Sequence, residues 1–305
     1  MSRLRSGVAF IVAALMVGVA LAGCSTSTEQ SKDGGSGAGC RLERSASIDL
    51  TIHRRIRHDP TSYTQGLVLG PRPGTESSSV GAETEAVIYE SSGLYGSSRL
   101  SMLDRQSGTV LDSVNLSEDV FAEGIALTGG QEPEHVQELI QLTWKEERAY
   151  RWEVSTFSSA SEPTGRFRYD GEGWGLATLD DGALVMSDGS DQLVLRDLGT
   201  FKILAKHTIS RLGGSEADRL NELEWDGRWL WANRYQTNEI LRIDTRCWRV
   251  TGVVDATALR REAEERAGER PIDVLNGIAY DQSTGRYLVT GKLWPTIFEV
   301  SFEAG

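Results

Sequence analysis

The sequence predicts an all-β fold made of five copies of one strand-and-turn unit. Each copy starts an apolar strand directly after a polar or aromatic residue. The copies recur every 47 to 58 residues, and they open with Gln65-Gly66-Leu67-Val68, Glu123-Gly124-Ile125-Ala126, Trp174-Gly175-Leu176-Ala177, Asn221-Glu222-Leu223-Glu224 and Asn276-Gly277-Ile278-Ala279. A strand-built repeat of roughly 50 residues is typical of a β-propeller, in which every blade lends its innermost strand to a central channel. We therefore predict a five-bladed β-propeller.

Two of the copies show the four strands of a blade most clearly. In the second copy, the alternation of apolar residues predicts strands at 124–127, 138–144, 148–154 and 165–169. In the fourth copy, it predicts strands at 223–225, 229–233, 239–244 and 249–254. Short alternating runs that are separated by Gly, Asp and Ser favour strands over helices.

Three further segments complete the predicted architecture. Thr257–Ala267 consists mostly of helix-forming residues, which predicts one short helix between blades four and five. The Pro-, Gly-, Ser- and Glu-rich stretch at 71–85 predicts a surface loop. We expect the ring to close at the chain ends, where either residues 48–56 or residues 296–302 complete a blade with the opposite terminus.

The residues that open the five copies should meet, because equivalent positions in a closed ring of blades surround one axis. These residues are Gln65, Glu123, Trp174, Asn221 and Asn276. One carboxylate, three amides and an indole suit a small, polar and partly flat ligand.

The face that carries these residues is also predicted to be aromatic. The turn between the second and third strands of a blade returns to this face and supplies Trp144, Tyr235 and Lys292. Tyr63 and Phe121 lie two residues before the openings of the first two copies. One interpretation is that these rings only plug the channel, but such a set of residues on a single face favours a functional site.

Several common catalytic arrangements are hard to build on this face. The four histidines occupy none of these positions, which argues against a histidine metal site and against a Ser-His-Asp triad. The ring positions contain no cluster of acidic residues, which disfavours a calcium site. We therefore predict no metal and no cofactor, with Glu123 as the proton shuttle. Burial among aromatic side chains would raise the pKa of such a carboxylate.

The N-terminus is predicted to be a targeting segment outside the fold. Arg3 and Arg5 precede an apolar run of about 15 residues, which is shorter than the ~20 residues of a membrane-spanning helix. The run ends in Leu21-Ala22-Gly23-Cys24, which resembles a bacterial lipobox in which Cys24 is acylated. We predict a signal peptide at 1–23, a lipid-anchored flexible tether at 24–47 and the propeller at 48–305. The alternative is an ordinary cleaved signal peptide.

Charge and cysteine content limit the partners. A net charge of −12 argues against nucleic acid and against an anionic membrane surface, so the lipid anchor is the only expected membrane contact. Cys40 and Cys247 form an even pair in an exported chain, which points to a disulfide. Cys247 falls in the strand-like stretch at 240–254, so the bridge would pin the N-terminal arm to an outer strand, although sequence does not place the two Cα atoms.

Several strings resemble the glutamine cyclotransferase family, the plant and bacterial type of glutaminyl-peptide cyclotransferase. They are S-Y-T-Q-G-L (62–67), Y-E-S-S-G-L-Y-G (89–96), G-W-G-L-A-T (173–178), R-L-N-E-L-E (219–224), D-V-L-N-G-I-A-Y-D (273–281) and T-G-K-L-W-P (290–295). The resemblance covers residues 50 to 302 and implies a five-bladed propeller, in agreement with the repeat count.

The resemblance also implies a set of site residues, which are Tyr63, Gln65, Phe121, Glu123, Trp144, Trp174, Asn221, Tyr235 and Lys292. Two of them differ from the usual pattern of plant-type relatives. Tyr63 stands where those relatives usually have Phe, and Tyr235 stands where they have Trp. Both changes keep an aromatic wall, so we expect activity to be retained and the preference among peptide substrates to differ.

The implied reaction closes an N-terminal glutamine to pyroglutamate and releases ammonia without a metal. Glu123 would carry the proton from the attacking amine to the departing nitrogen. Lys292, Asn221 or Gln65 would stabilise the negative charge on the carbonyl oxygen, and the sequence leaves this choice open. The aromatic residues and Asn276 would bind the substrate.

The sequence therefore predicts an exported monomeric enzyme, anchored by lipid to the outer face of the cell membrane, that acts on peptides or proteins with an N-terminal glutamine. The alternative is a non-catalytic, lipid-anchored propeller that binds a peptide or a sugar at the channel mouth. An envelope assembly factor would require an exposed apolar patch, which no run in the sequence demands. Glu123 favours the enzyme, because a binding protein has no need of an isolated carboxylate in an aromatic pocket.

Overall fold

A computed structural model describes residues 45–74, 86–129 and 137–304. The predicted signal peptide, Cys24 and Cys40 lie outside the described residues, as does most of the predicted loop at 71–85. The first strand begins at Ala46, slightly ahead of the predicted domain boundary at residue 48.

The described chain consists of strands and one helix. It starts with β1 (Ala46–Arg57), and three groups of four strands follow. The first group is β2 (Thr64–Pro71), β3 (Ala86–Ser92), β4 (Arg99–Asp104) and β5 (Val110–Asn115). The second group is β6 (Ala122–Thr128), β7 (Glu138–Thr143), β8 (Arg148–Glu153) and β9 (Gly165–Arg168). The third group is β10 (Leu176–Thr178), β11 (Leu184–Ser187), β12 (Gln192–Arg196) and β13 (Ile203–Thr208).

The remaining strands lie on both sides of the helix. Before it come β14 (Leu220–Trp225), β15 (Leu230–Arg234), β16 (Glu239–Asp244) and β17 (Arg249–Asp255). After α1 (Thr257–Ala267) come β18 (Leu275–Asp281), β19 (Arg286–Gly291) and β20 (Thr296–Ala304). The strands predicted for the second and fourth copies are confirmed as β6 to β9 and β14 to β17, with bounds that differ by a few residues at most.

The first and last described strands, β1 and β20, belong to one sheet. Each of the first three groups forms its own antiparallel sheet, whereas the other strands form one sheet in the order β14-β15-β16-β17-β1-β20-β19-β18. β1 runs antiparallel to β20, from Ile48 opposite Ala304 to Arg57 opposite Thr296. Only the first residues of β1 also pair with β17, in a short parallel ladder. The first and last described strands therefore pair, as the predicted closure of the ring requires.

The first strands of the five strand groups form a closed cycle. β2 packs against β6, β6 against β10, β10 against β14, β14 against β18, and β18 against β2. Glycine permits this approach: a Cβ atom at Gly124 would lie 2.5 Å from the carbonyl oxygen of Trp174 and 2.7 Å from the Cα of Gly175. A Cβ atom at Gly66 would likewise lie 2.7 Å from the backbone nitrogen of Ile125. The result is an all-β, propeller-like arrangement in which the inner strands surround one axis.

Apolar cores lie between neighbouring sheets. The sheet of β2 to β5 and the sheet of β6 to β9 share a core that includes Tyr89, Leu139, Trp152 and Phe157. Side chains alternate between the two faces of a sheet along each strand. Each sheet therefore packs one face into the core on one side and its other face into the core on the other side. This packing holds the inner strands at fixed positions around the axis.

The predicted helix is confirmed at the same bounds, Thr257–Ala267. It buries Leu259 and Ala263, while two ion pairs four residues apart lie on its more exposed side. Glu262 also binds Arg55 of β1, which joins the helix to the sheet that contains both termini. Within the described ranges, no helix has the length and apolar character needed to span a bilayer.

Cys247 lies in the turn between β16 and β17, which corrects its placement in a continuous strand-like stretch. The side chain of Asp244 accepts a hydrogen bond from the backbone of Arg246 at 3.0 Å. Trp248 has a φ of 53°, a left-handed conformation that a continuous strand does not contain. Cys247 is disulfide-bonded. Its predicted partner, Cys40, lies outside the described residues, so this pairing stays a prediction.

We expect Gly124→Ala to lower the free energy of unfolding by about 1–3 kcal/mol, because the new Cβ atom would overlap the backbone of the next inner strand. Urea denaturation of the purified domain would measure the change. Gly199→Ala is the matched control, since a Cβ atom there would meet only Asp197, at 3.7 Å. Equal stability of the two variants would contradict the proposed role of the glycine.

Candidate active site

A pocket of about 180 Å³ opens at the end of the ring where the inner strands begin. Nine side chains line it, namely Tyr63, Gln65, Phe121, Glu123, Trp144, Trp174, Asn221, Tyr235 and Lys292. These are the nine residues that the family resemblance implied. The structure therefore brings together residues from four of the five repeat openings and from the turns beside them.

Aromatic rings form the walls of the pocket. On one side, the ring of Phe121 lies 6.3 Å from Tyr63 and 5.5 Å from Trp144, in edge-to-face geometry with both. On the other side, Trp174 lies edge-to-face with Tyr235 at 5.3 Å. Such pairs favour fixed relative orientations. The walls are therefore both apolar and well positioned to hold a small group.

Glu123 is a buried carboxylate in this pocket, with 5% of its surface exposed. Its Oε1 accepts a hydrogen bond from the amide nitrogen of Gln65 at 3.2 Å. Burial raises the pKa of Glu123 well above its usual value. The charge of Lys292 opposes this rise, and the charges of Glu172 and Glu146 add to it. A carboxylate with a raised pKa is suited to accept and return a proton.

Lys292 provides a buried ammonium group between two tyrosine rings. Its Nζ lies 4.7 Å from the ring centre of Tyr63 and 5.3 Å from that of Tyr235. Burial lowers the pKa of Lys292, and the charges of Glu123 and Asp273 oppose the shift. The pKa values of Glu123 and Lys292 are therefore displaced towards each other, which is typical of acid–base sites.

The hydroxyl of Tyr63 makes a hydrogen bond that a phenylalanine could not make. This OH donates a hydrogen bond to Oδ2 of Asp273 at 2.9 Å. Asp273 comes two residues before β18, next to the segment that carries Lys292. The hydroxyl of Tyr63 therefore fixes the ring against which Lys292 packs.

The two asparagines of the predicted site have different positions. Asn221 lines the pocket, and its buried Oδ1 has no hydrogen-bond partner among the described residues, so this oxygen can accept a hydrogen bond from a ligand. Asn276 does not line the pocket. Its amide nitrogen donates to the carbonyl oxygen of Thr64 at 3.1 Å and to Oε1 of Gln65 at 3.2 Å. Asn276 therefore lies behind Gln65 and orients it.

Sequence reasoning missed Glu172, which joins the two sides of the pocket. Its Oε2 accepts hydrogen bonds from the indole nitrogens of Trp144 at 2.8 Å and Trp174 at 3.0 Å. The Nζ of Lys145 lies 3.6 Å from Oε1 of the same carboxylate and 3.6 Å from the ring centre of Trp144. The only signal in the sequence was an acidic residue two positions before the third repeat opening.

Glu222 was also missed, although it breaks the repeat pattern by standing where the other copies have glycine. Its carboxylate accepts hydrogen bonds from the backbone nitrogens of Leu67 at 3.3 Å and Ile278 at 2.9 Å. Burial raises the pKa of Glu222, and the neighbouring Glu224 adds to this rise. Glu222 therefore links three inner strands inside the ring.

A third buried acid, Glu90, fixes the backbone that leads into Gln65. Its carboxylate accepts hydrogen bonds from Thr64 at 2.7 Å and Ser62 at 3.1 Å, and it contacts Nε2 of His58 at 3.0 Å. His58 lies behind the pocket, and none of the nine lining residues is a histidine. Within the described ranges, no group of three or more His, Cys, Asp or Glu residues is placed to hold a metal ion.

The fold and the pocket together define a class of protein. A buried carboxylate of raised pKa, a nearby ammonium group and aromatic walls make a proton-transfer site for a small amine or amide. A volume of about 180 Å³ is below the roughly 300–1,000 Å³ of sites for drug-sized ligands, so the pocket fits one side chain. The fold and the pocket therefore define a propeller-like enzyme whose site takes one small group.

Comparisons with known proteins identify the family. The sequence pattern of the glutamine cyclotransferase family matches residues 15–302. The chain is 33% identical over 270 residues to glutaminyl-peptide cyclotransferase of Arabidopsis thaliana. The aligned stretch covers 88% of this chain and 76% of the relative. The crystal structure of Myxococcus xanthus glutaminyl cyclase matches with a TM-score of 0.71 and 31% identity, over 86% of this chain and 100% of that one.

The chain therefore belongs to the glutamine cyclotransferase family. The predicted family and the predicted enzyme class, an acyltransferase that converts glutamine to pyroglutamate, are confirmed. The non-catalytic alternative is not favoured.

We expect Glu172→Gln to lower the pKa of Glu123, because it removes a negative charge that raises that pKa. The pH at which Glu123 titrates, read from the pH dependence of kcat/KM for ammonia release, should move down. The control variant Glu265→Gln also removes one negative charge, but at an exposed residue of α1 that does not line the pocket. It should leave the pH dependence of kcat/KM unchanged. An unchanged profile in Glu172→Gln would show that Glu172 does not act on Glu123.

Proposed function

We propose that this pocket binds the N-terminal glutamine of a peptide or protein and closes it to pyroglutamate, with Glu123 as the proton shuttle. The observation that carries the proposal is the setting of Glu123, a buried carboxylate of raised pKa inside a small aromatic pocket. Lys292 and Asn221 lie in the same pocket and offer polar groups to the reacting amide.

The reaction requires one bond to form and one to break. The free α-amine, whose ordinary pKa is about 8, attacks the Cδ carbon of its own side chain. The N–Cδ bond forms, the bond from Cδ to the amide nitrogen breaks, and ammonia leaves. One proton must pass from the attacking nitrogen to the departing one, and Glu123 accepts and returns it. The aromatic walls hold the side chain folded towards the amine, where orientation alone lowers the barrier by several kcal/mol.

The hydrogen bonds of the pocket narrow the choice of groups that stabilise the oxyanion. Gln65 already donates its amide nitrogen to Glu123, and its oxygen accepts from Asn276. Asn221 has a buried amide oxygen without a partner among the described residues, so it can accept a hydrogen bond, whereas the Nζ of Lys292 lies over two aromatic rings and can donate one. We assign the oxyanion to Lys292, while Asn221 accepts a hydrogen bond from the attacking amine and Gln65 orients Glu123.

We also propose that the strands form five blades. The closed cycle of β2, β6, β10, β14 and β18 supports a five-bladed propeller in which β18, β19, β20 and β1 form the last blade. The eight-stranded sheet then consists of two blades joined by the short ladder between β1 and β17. The short helix α1 stands between these two blades.

The cellular setting is proposed from the sequence. The lipobox-like segment supports acylation at Cys24 and an exported enzyme tethered to the outer face of the cell membrane. The disulfide at Cys247 suits an oxidising compartment, and we assign its partner as Cys40. The proposed enzyme acts as a monomer on peptide or protein substrates.

We expect Glu123→Gln to reduce kcat by about 10²–10⁴-fold with little change in KM, because the amide keeps the shape of the carboxylate but cannot carry a proton. Ammonia release from a glutamine-initiated dipeptide by residues 40–305 would measure this. Glu118→Gln removes an exposed carboxylate near the pocket and should leave kcat within about twofold.

The same assay includes a strong chelator, and the proposed chemistry requires activity to persist in its presence. Activity lost to the chelator alone would show that a metal takes part. Folded wild-type protein that releases no ammonia from any such peptide would contradict the assignment of the reaction to this pocket.

A further inference from the structure

A second and larger cavity lies between the sheet of β2 to β5 and the sheet of β6 to β9. It encloses about 640 Å³. One wall consists of the end of β5 and the residues after it, including Asn115 and Ser117. The opposite wall consists of β8, β9 and the loop between them, including Arg148 and Arg166. We call this cavity the side cleft, and none of its lining residues belongs to the pocket.

The wall of the side cleft made by β8 and β9 is basic. In the ladder between these strands, Arg148 lies opposite Arg168 and Tyr150 opposite Arg166. Because paired residues share a face and alternate along a strand, the three arginines project from the same face of the sheet. The clustering stands out in a chain with a net charge of −12.

These arginines have no acceptor for their side chains within the described part of the chain. The Nε of Arg148 is buried and makes no hydrogen bond. The one acidic residue that lines the side cleft, Glu162, is exposed and pairs with none of them. A buried donor without an acceptor is costly unless a ligand supplies one.

The side cleft and the pocket share two segments of chain. Ser117 lines the side cleft and Phe121 lines the pocket, while Arg148 lines the side cleft and Trp144 lines the pocket. Each pair is separated by four positions, so the nearest parts of the two sites lie at most about 13 Å apart, the length of that stretch if it were fully extended. A peptide whose first residue occupies the pocket would therefore bring its fourth to sixth residues, by the same estimate of about 3.3 Å per residue, to the side cleft.

We propose that the side cleft is a secondary binding site for acidic side chains that follow the N-terminal glutamine of the substrate by about three to five positions. The inference rests on the proposed function of the pocket. Guanidinium groups match carboxylates in shape and charge, and the unpartnered Nε of Arg148 supplies a donor on the cleft wall. The site selects acidic peptides by lowering their KM and takes no part in the chemistry.

The test compares two amidated peptides, Gln-Ala-Ala-Glu-Glu-Glu and Gln-Ala-Ala-Gln-Gln-Gln, in the ammonia-release assay. We expect kcat/KM to be roughly three- to tenfold higher for the acidic peptide, as two partly exposed ion pairs would produce. The difference should lie in KM, and high salt should reduce it because exposed charges are screened.

The double variant Arg148→Gln/Arg166→Gln should lose this preference while it cyclises the neutral peptide at the wild-type rate. The matched control, Arg249→Gln/Arg270→Gln, removes two exposed arginines, one in β17 and one in the loop between α1 and β18, and should keep the preference. An unchanged rate on the neutral peptide also shows that the variants are folded.

Equal kcat/KM for the two peptides in the wild type would overturn the proposal that the side cleft binds acidic side chains, and it would leave the proposed function intact. A preference that persists in Arg148→Gln/Arg166→Gln, or that disappears in the control variant, would overturn it as well. If wild-type protein released ammonia from neither peptide, the proposed function itself would fail, and this inference with it.

Discussion

The close contact between neighbouring inner strands is the constraint on which the rest of the structure depends. The backbone nitrogen of Gly124 donates to the carbonyl oxygen of Trp174 at 2.6 Å, so the second and third inner strands touch directly after their opening residues. Glycine is needed there because no Cβ atom fits. In the fourth copy, Glu222 replaces glycine and uses its carboxylate to bind the backbone of two other inner strands. The opening residues converge because the strands behind them are held this tightly.

Closure of the ring by the chain ends completes the pocket. The pairing of β1 with β20 brings the first and last strands of the described chain together. Next to this seam, the backbone nitrogen of Leu293 donates to the carbonyl oxygen of Ser62 at 2.7 Å. The ammonium group of Lys292 thereby lies over the ring of Tyr63, although the two residues come from opposite ends of the sequence. The cation of the pocket therefore depends on correct closure of the whole ring.

Environment gives the carboxylates near the pocket different properties. Glu90 is fully buried, yet His58 and Thr64 stabilise its charge, and its pKa is lowered. Glu172 accepts two indole hydrogen bonds, and its pKa is also lowered. Among the described residues, Glu123 has only the amide of Gln65 as a side-chain donor, so burial dominates and its pKa rises. The same functional group thus serves as a fixed anion in two places and, in the proposed reaction, as a proton carrier in one.

The sequence by itself determined the strand repeats, the helix at Thr257–Ala267 and the residues that line the pocket, because strand alternation and repeat spacing are local properties that survive without coordinates. Only the tertiary structure decided that Glu172 joins two indoles, that Glu222 links three inner strands and that Asn276 lies behind Gln65. The placement of Cys247 in a turn belongs to the same group. Each of these depends on which backbone or side-chain group comes within hydrogen-bond distance, and that follows from packing between sheets rather than from the pattern within one strand.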